Sequence, residues 1–578
     1  MTSHADGPTV SRRSALQTAA VGTLAATSGC VREVRNIVRR EPDRSLSLSI
    51  ATLPEDADPP ANALAKTFES ALSVAGIDVE VAILSPVEYR REILLNHEFD
   101  TFVGPYPTGI DPEYLYESFH SRYAEESGWQ NPFGLTNLRF DEQLEAQRSA
   151  TDTARVQAVT DGLFTLANEQ PLTPLCRPTE HRLVNADRFT GWDRHPLTDR
   201  LFFAALEPEA DVTTLRGLLT DPRVTQNLNP FSIEYRDGGL VIDLLYDSLA
   251  ARDGDGYVPW LAEDWEWDGS VATVTLRDAT WHDGEPVTAS DVVFTHDFLE
   301  DMALGSAEVP APAPIYRGRA SAIESVEASG AVALELVAAG GIEAAESALT
   351  VPIFPEHVWA DRTEEASLPG IETPSITEGV VTDNVPPVGS GCYRFEDRTD
   401  GELLTLARND EHFSRSAPTL PTPTIETLRF EVVSNSSNAA EAVRSGLADV
   451  TLSMIEPRLV DGLAPDPPAS ILETEARWCY CIGYNARSGP LGNPNFRQVI
   501  ASLVDKAHLV DAVFDGHATP IVSPLSPEWV PSALRWRGRD PVTPFLGRDG
   551  ELDTDAVRRA FDNIGYRYDE DGSLLTRN

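Results

Sequence analysis

The 578-residue chain is longer than an ordinary single domain, and its 41% apolar composition is enough to bury more than one core. Its 91 acidic residues outnumber 46 basic ones, giving a formal charge of −45. A field of that sign repels nucleic acid and argues against its binding.

The N-terminal stretch "SRRSALQTAAVGTLAATSGC" reads as a targeting segment. Arg12 and Arg13 form a twin arginine, a mildly apolar run follows over residues 15–27, and Cys30 comes after small residues. The run is too short to span a bilayer as a mature helix. The pattern predicts a twin-arginine export signal over residues 1–30, with a lipoprotein-type processing site at which Cys30 takes lipid. Residues 31–45 would then be a tether whose positive charge can rest against anionic head groups. The mature protein is expected at the outer face of the cell membrane, lipid-anchored.

From residue 46 to about 100 the pattern alternates strand, helix, strand, helix, strand. "SLSLSIATL" alternates, "ANALAKTFESALSVAG" has helical spacing and a terminal glycine, "IDVEVAIL" alternates again, "PVEYRREILLN" is helical and "FDTFVG" is a short strand. Strands separated by helices predict a parallel α/β layer. Two helices are predicted over residues 140–149 and 153–169. From residue 212 strand-rich stretches dominate, among them "VATVTLRDATW", "VALELVAA", "CYRFED", "ELLTLARND" and "TIETLRFEVV". From residue 485 helices return in "NPNFRQVIASLVD", "AHLVDAVF" and "TDAVRRAFDNIG". The two ends share a texture that the middle lacks. One lobe is therefore expected from residues 46–184 and 481–578 together, and a contiguous lobe from residues 185–480.

Cys176, Cys392, Cys479 and Cys481 show no paired CxxC spacing, so neither zinc nor any other cofactor is indicated. Cys479 and Cys481 flank Tyr480 on one predicted strand and read as small apolar packing residues; the sequence leaves a disulfide open. No GxSxG, Walker or HExxH pattern points to an enzyme.

Residues 241–301, "VIDLLYDSLAARDGDGYVPWLAEDWEWDGSVATVTLRDATWHDGEPVTASDVVFTHDFLED", resemble extracellular solute-binding proteins of the peptide/nickel family of ABC importers. "PPVGSGCYRFED", "LLTLARND", "NAAEAVRSGLADVTL" and "NPNFRQVIASLVDKAHLVDAVFDGHATPIVSPLSP" match later parts of the family pattern, so that the resemblance covers most of residues 212–578. Relatives continue past "AGY…dG.l" with a strand, a helix, a "GI.vev" unit and a "DP" turn. Here that portion resembles the front of the chain, in "AGIDVEVAILSPVEYRREILLNHEFDTFVGPYPTGIDPEYLY" and "NLRFDEQLEAQRSATDTARVQAVTDGLFTLANEQPLTPLC". The resemblance thus implies a circular permutant in which the strand begun at "SLLTRN" is continued by "SLSLSIATL". The dispersed acid, with Lys66 and Lys506 as the two lysines, resembles proteins of salt-loving archaea.

The family resemblance implies a two-lobed α/β binding-protein fold with a hinge and an interlobe cleft. It implies a monomeric, non-enzymatic capture protein that takes a peptide or similar small solute and delivers it to ABC permease subunits. Nickel complexes and oligosaccharides are also bound within the family. A non-transporting surface peptide receptor or chaperone, and a secreted α/β hydrolase, are the alternatives. "WHDGE" at 281–285 corresponds to a family turn, which gives His282 and Asp283 structural roles. In dipeptide- and oligopeptide-binding relatives an aspartate four residues before the "DP" proline pairs with the peptide amino group. The matching position here is Thr108, a neutral hydroxyl, so that either another acid, Asp111, takes the role or the ligand is not a peptide with a free amino end; Tyr106 is placed to stack on the ligand. Asn229 and Phe231, in "NLNPFS", are the expected ligand contacts on the other lobe. Cys392 stands where relatives carry proline.

Overall fold

The computed structural model describes residues 45–576 apart from 198, 210, 237–238, 255, 372–375, 464–467 and 488. Arg12, Arg13, Cys30 and the tether up to residue 44 lie outside the described residues.

Strand β1 (Ser47–Thr52) leads through helix α1 (Pro59–Val74) into β2 (Asp78–Ile83), which pairs in parallel with β1 from Ser47↔Asp78 to Thr52↔Ile83. The helix starts where the Asp58 carboxylate accepts the Ala61 N–H, with Pro59 and Pro60 in its first turn. Leu64, Phe68, Ala71 and Leu72 recur at helical spacing and are buried against the sheet. Burying each leucine or phenylalanine contributes about 1.5–3 kcal/mol. The helix stops before Gly76, whose φ of 80° lies in the left-handed region. Strand β3 (Thr101–Pro107) pairs in parallel with the other edge of β1. Helices α2 (Glu113–Phe119), α3 (Leu138–Ser149) and α4 (Asp152–Glu169) follow, and then the 14-residue strand β4 (Leu172–Asn185).

Beyond β5 (Thr214–Leu219) a separate four-stranded antiparallel sheet forms from β6 (Ala262–Asp268), β7 (Val271–Leu276), β8 (Ile323–Ala328) and β9 (Ala333–Ala338), in the order β6-β7-β9-β8. The chain returns to the main sheet with β10 (Tyr393–Thr399), β11 (Leu403–Arg408), β12 (Thr427–Val432), β13 (Val450–Thr451), β14 (Ala469–Glu475), β15 (Trp478–Tyr484) and β16 (Ala518–Pro520). That sheet has 12 strands in the order β10-β11-β12-β5-β13-β4-β15-β3-β1-β2, with β14 and β16 also paired to β4. The fold is therefore mixed α/β.

β4 belongs to both halves of this sheet. Its residues Leu172–Cys176 pair with β15, whereas Thr179–Asn185 pair with β14. β14 and β15 make the same crossing in the opposite sense, through Ala476 and Arg477. The two halves of the sheet are thus joined through two neighbouring extended crossings.

The two ends of the described chain meet in the half that holds β1. The Leu46 N–H donates to the Leu574 carbonyl at 2.7 Å, the Leu574 N–H donates to the Gly76 carbonyl at 2.7 Å, and Ser45 forms an antiparallel bridge with Leu575. The approach is close: a Cβ on Gly76 would lie 2.4 Å from the Gly572 carbonyl oxygen.

Candidate functional site

A cavity of about 1100 Å³ opens between the two halves of the molecule. It lies just above the range of roughly 300–1,000 Å³ common for small-molecule sites. One wall is formed by Asp58 at the start of α1, by the segment from Pro105 to Asp111 that ends β3, and by Trp478 and Tyr480 of β15. Because strand side chains alternate between faces, Trp478 and Tyr480 share one face, while Cys479 and Cys481 point to the other and are fully buried. The facing wall includes Arg200, Arg236, Tyr257, Tyr316 and Arg319.

Polar contacts bridge the two halves around the cavity. Arg91 Nε meets Glu234 Oε1 at 2.6 Å, Arg155 Nη1 meets Glu343 Oε2 at 2.6 Å, and Arg319 Nε meets Glu117 Oε1 at 3.4 Å. The Tyr123 hydroxyl donates to Ser321 Oγ at 2.7 Å, and the Gly341 N–H donates to the Arg148 carbonyl at 2.7 Å.

Most acids in the walls are neutralised by arginine. Glu180 accepts from Arg182 Nη1 at 2.6 Å and from the Trp478 indole at 2.9 Å, and Asp199 pairs with Arg477. Asp243 lies 3.6 Å from Arg200, and burial pushes its carboxyl up to about 6 against that attraction. Burial likewise raises Asp111 and Glu117 above the usual carboxylate range, opposed by Arg155 and Arg319 respectively.

Of the residues expected from sequence, Tyr106, Thr108 and Asp111 line the cavity. Tyr106 is only 2% exposed and is spent on packing, with its ring 5.3 Å from Phe133 and 5.5 Å from Trp129. The Thr108 N–H donates to the Arg477 carbonyl at 3.1 Å. Asp111 accepts from Arg155 Nη2 at 3.1 Å and from the Glu113 N–H at 2.8 Å, so its charge already has a partner. Asn229 and Phe231 require correction, for neither lines the cavity. The Asn229 amide donates to the carbonyls of Gly379, Val380 and Thr382, and Phe231 packs among Phe298, Phe354 and Trp359. The "NLNPFS" loop acts one step back: the carbonyls of Asn227 and Asn229 accept from Arg236, which does reach the wall.

Sequence reasoning missed Asp58, Arg182, Arg200, Arg319 and Trp478. The parity of "RWCYCIGY", already read as a strand, could have found Trp478. His282 and Asp283 lie outside the cavity lining; His282 Nε2 sits 3.0 Å from the Gly391 carbonyl, and Asp283 pairs with His357 at 2.9 Å. All four described cysteines are free and buried. Burial pushes the Cys392 and Cys479 thiols up to about 12, which removes the thiolate needed for nucleophilic work at neutral pH. Among the described residues no His, Cys, Asp and Glu group could hold a metal ion, and no helix is long and apolar enough to cross a membrane.

Residues 256–576, more than half of the chain, match the model of "Bacterial extracellular solute-binding proteins, family 5 Middle". The chain belongs to this family. It is 27% identical over 255 residues to the YejA protein of Escherichia coli (strain K12), covering 42% of this chain and 37% of that one. It is 24% identical over 313 residues to the periplasmic oligopeptide-binding protein OppA of Haemophilus influenzae, covering 52% of this chain and 53% of OppA. The chain therefore spans about half or less of the length of these curated relatives. Among solved structures, it is similar to a mannohexaose-bound periplasmic oligopeptide-binding protein of Thermotoga maritima, with a TM-score of 0.44 and 22% identity over 62% of this chain and 63% of that one. It is also similar to DppA of Helicobacter pylori in complex with the peptide STSA, with a TM-score of 0.45 and 17% identity over 61% of this chain and 66% of that one.

Proposed function

We propose that the chain is the solute-capturing component of an ABC importer, which closes its two halves on a peptide or similar small solute and presents the loaded form to permease subunits. The observation that carries this reading is the cavity of about 1100 Å³ in a family 5 chain, walled from both halves of a sheet joined through two extended crossings. Crossings of this kind act as a hinge, and a solute that contacts both walls favours the closed state by its extra contacts there. Peptide is the leading solute class because the Haemophilus relative is an oligopeptide-binding protein. The capture step requires no bond chemistry. On this reading the protein is an exported, lipid-anchored monomer of a salt-rich setting.

Circular permutation belongs to the same proposal. The pairing of Ser45 and Leu46 with Leu574 and Leu575 supports it with one correction: the two ends do not run on as one strand, as expected from sequence, but lie antiparallel in the form of a hairpin opened at its turn. Joining residue 576 to residue 45 by a short turn, and opening the chain between Glu209 and Thr213, should then give a folded protein with unchanged solute binding. A variant rearranged in this way that does not fold contradicts the permutation.

Small-angle X-ray scattering of the full chain in molar KCl tests capture. Addition of an oligopeptide mixture should reduce the radius of gyration as the halves close. A scattering curve insensitive to peptides and sugars alike would contradict the reading.

A further inference from the structure

The carboxylates of the cavity wall are not equivalent. Asp111, Glu117, Glu180 and Asp199 each hold an arginine, and Asp243 lies beside Arg200. Asp58 does not share this arrangement, nor do the exposed Asp56 and Glu475, and of these three Asp58 alone is half-buried. Its Oδ1 accepts from the Ala61 N–H at 2.9 Å and from the Tyr480 hydroxyl at 2.9 Å, both neutral donors. Among the described residues no arginine, lysine or histidine pairs with it, and Oδ2 has no hydrogen-bond partner. The residue is half-buried and lines the cavity. A carboxylate withdrawn from water without a countercharge is costly, and a cation placed beside it removes that cost.

We propose that the cavity takes a solute bearing an organic cation, an α-ammonium or a basic side chain, and that Asp58 receives that cation through Oδ2. The inference rests on the solute-binding reading above and adds the ligand class and its anchor. Asp111, the acid expected from sequence to do this, is held by Arg155, and Thr108 offers only a neutral hydroxyl. Burial pushes the Asp58 carboxyl up to about 6, opposed by the Ala61 N–H and the Tyr480 hydroxyl, and a cation placed beside Oδ2 favours its ionised form.

The test uses the full chain in molar KCl and isothermal calorimetry with four probes. Trialanine carries an α-ammonium and N-acetyl-Ala-Arg-Ala amide carries a side-chain cation, whereas N-acetyl-trialanine amide and maltotriose carry none. The variant is Asp58→Asn, because asparagine caps a helix as well as aspartate and its amide oxygen still accepts from Ala61 and Tyr480. Binding of a cationic probe should fall by roughly 10²-fold or more in Asp58→Asn, as for loss of one partner of a buried charge pair, and the neutral probes should not change. The stronger of the two cationic probes identifies the source of the cation. If the wild type binds neutral and cationic probes equally, or if Asp58→Asn leaves cationic binding unaltered, Asp58 is only a helix cap and the inference is overturned while solute binding stands. If no probe binds, the inference falls, and the scattering measurement decides the capture reading by itself. Should the variant not fold, the wild-type preference for cationic over neutral probes decides alone.

Discussion

Replacing Asp247 with alanine is expected to cost about 3–5 kcal/mol of stability, the scale for removing one partner from a buried charge cluster. Asp247 is fully buried, and its Oδ1 accepts from the Trp260 indole at 2.7 Å and from Arg200 Nη1 at 3.0 Å, with His412 Nε2 at 3.3 Å. Without it Arg200, which also forms the cavity wall, keeps only the Tyr246 carbonyl at 2.8 Å, Ser248 Oγ at 3.3 Å and the more distant Asp243. The loss should therefore reach the site as well as the core. Burial opposes ionisation of Asp247, yet His412, Arg200 and the Trp260 N–H outweigh it and hold the carboxyl well below the usual range. A depressed carboxyl contributes its stability above the unfolded value of about 3.9 and loses it as pH falls through the folded value. Wild-type stability should thus drop more steeply than that of Asp247→Ala on acidification below about pH 4. Chemical denaturation in molar KCl at several pH values measures both effects. A loss under about 1 kcal/mol would show that the cluster contributes little.

Low salt is the second large perturbation. With a charge of −45 and acids dispersed along the chain, self-repulsion acts over roughly 30 Å at 0.01 M salt but only about 3 Å at 1 M. The two lysines offer little relief, since Lys506 is buried against Asp540 at 2.6 Å and only Lys66 reaches the surface, 3.7 Å from Glu55. Far-ultraviolet circular dichroism against KCl concentration should show loss of structure in dilute buffer and recovery in molar salt. A signal indifferent to salt over that range would contradict adaptation to a salt-rich setting.

Local pattern made the regular elements legible, and convergence hid the site. The α1 helix was readable from its apolar spacing and terminal glycine, and β1, β2 and β3 from alternation and the helices between them. β4 was not readable as one long strand, because Pro174 and Pro178 interrupt it and nearly every residue is buried, which erases the period-2 signal. The wall residues Asp58, Arg182, Arg200, Arg319 and Trp478 come from distant parts of the chain, and no spacing announces that they meet. Family position located the loop holding Asn229 but not the direction of its side chain. The amide of Asn229 is used up on backbone carbonyls, and the reach into the cavity belongs to Arg236.

Mass spectrometry of the solute retained by the full chain, purified natively in molar salt and then released by denaturation, tests the central claim most directly. Capture between the two halves predicts one solute molecule per chain, of one chemical class, recovered chemically unaltered. Protein that retains nothing, and that either binds no member of an added peptide mixture or returns that mixture cleaved, would contradict it.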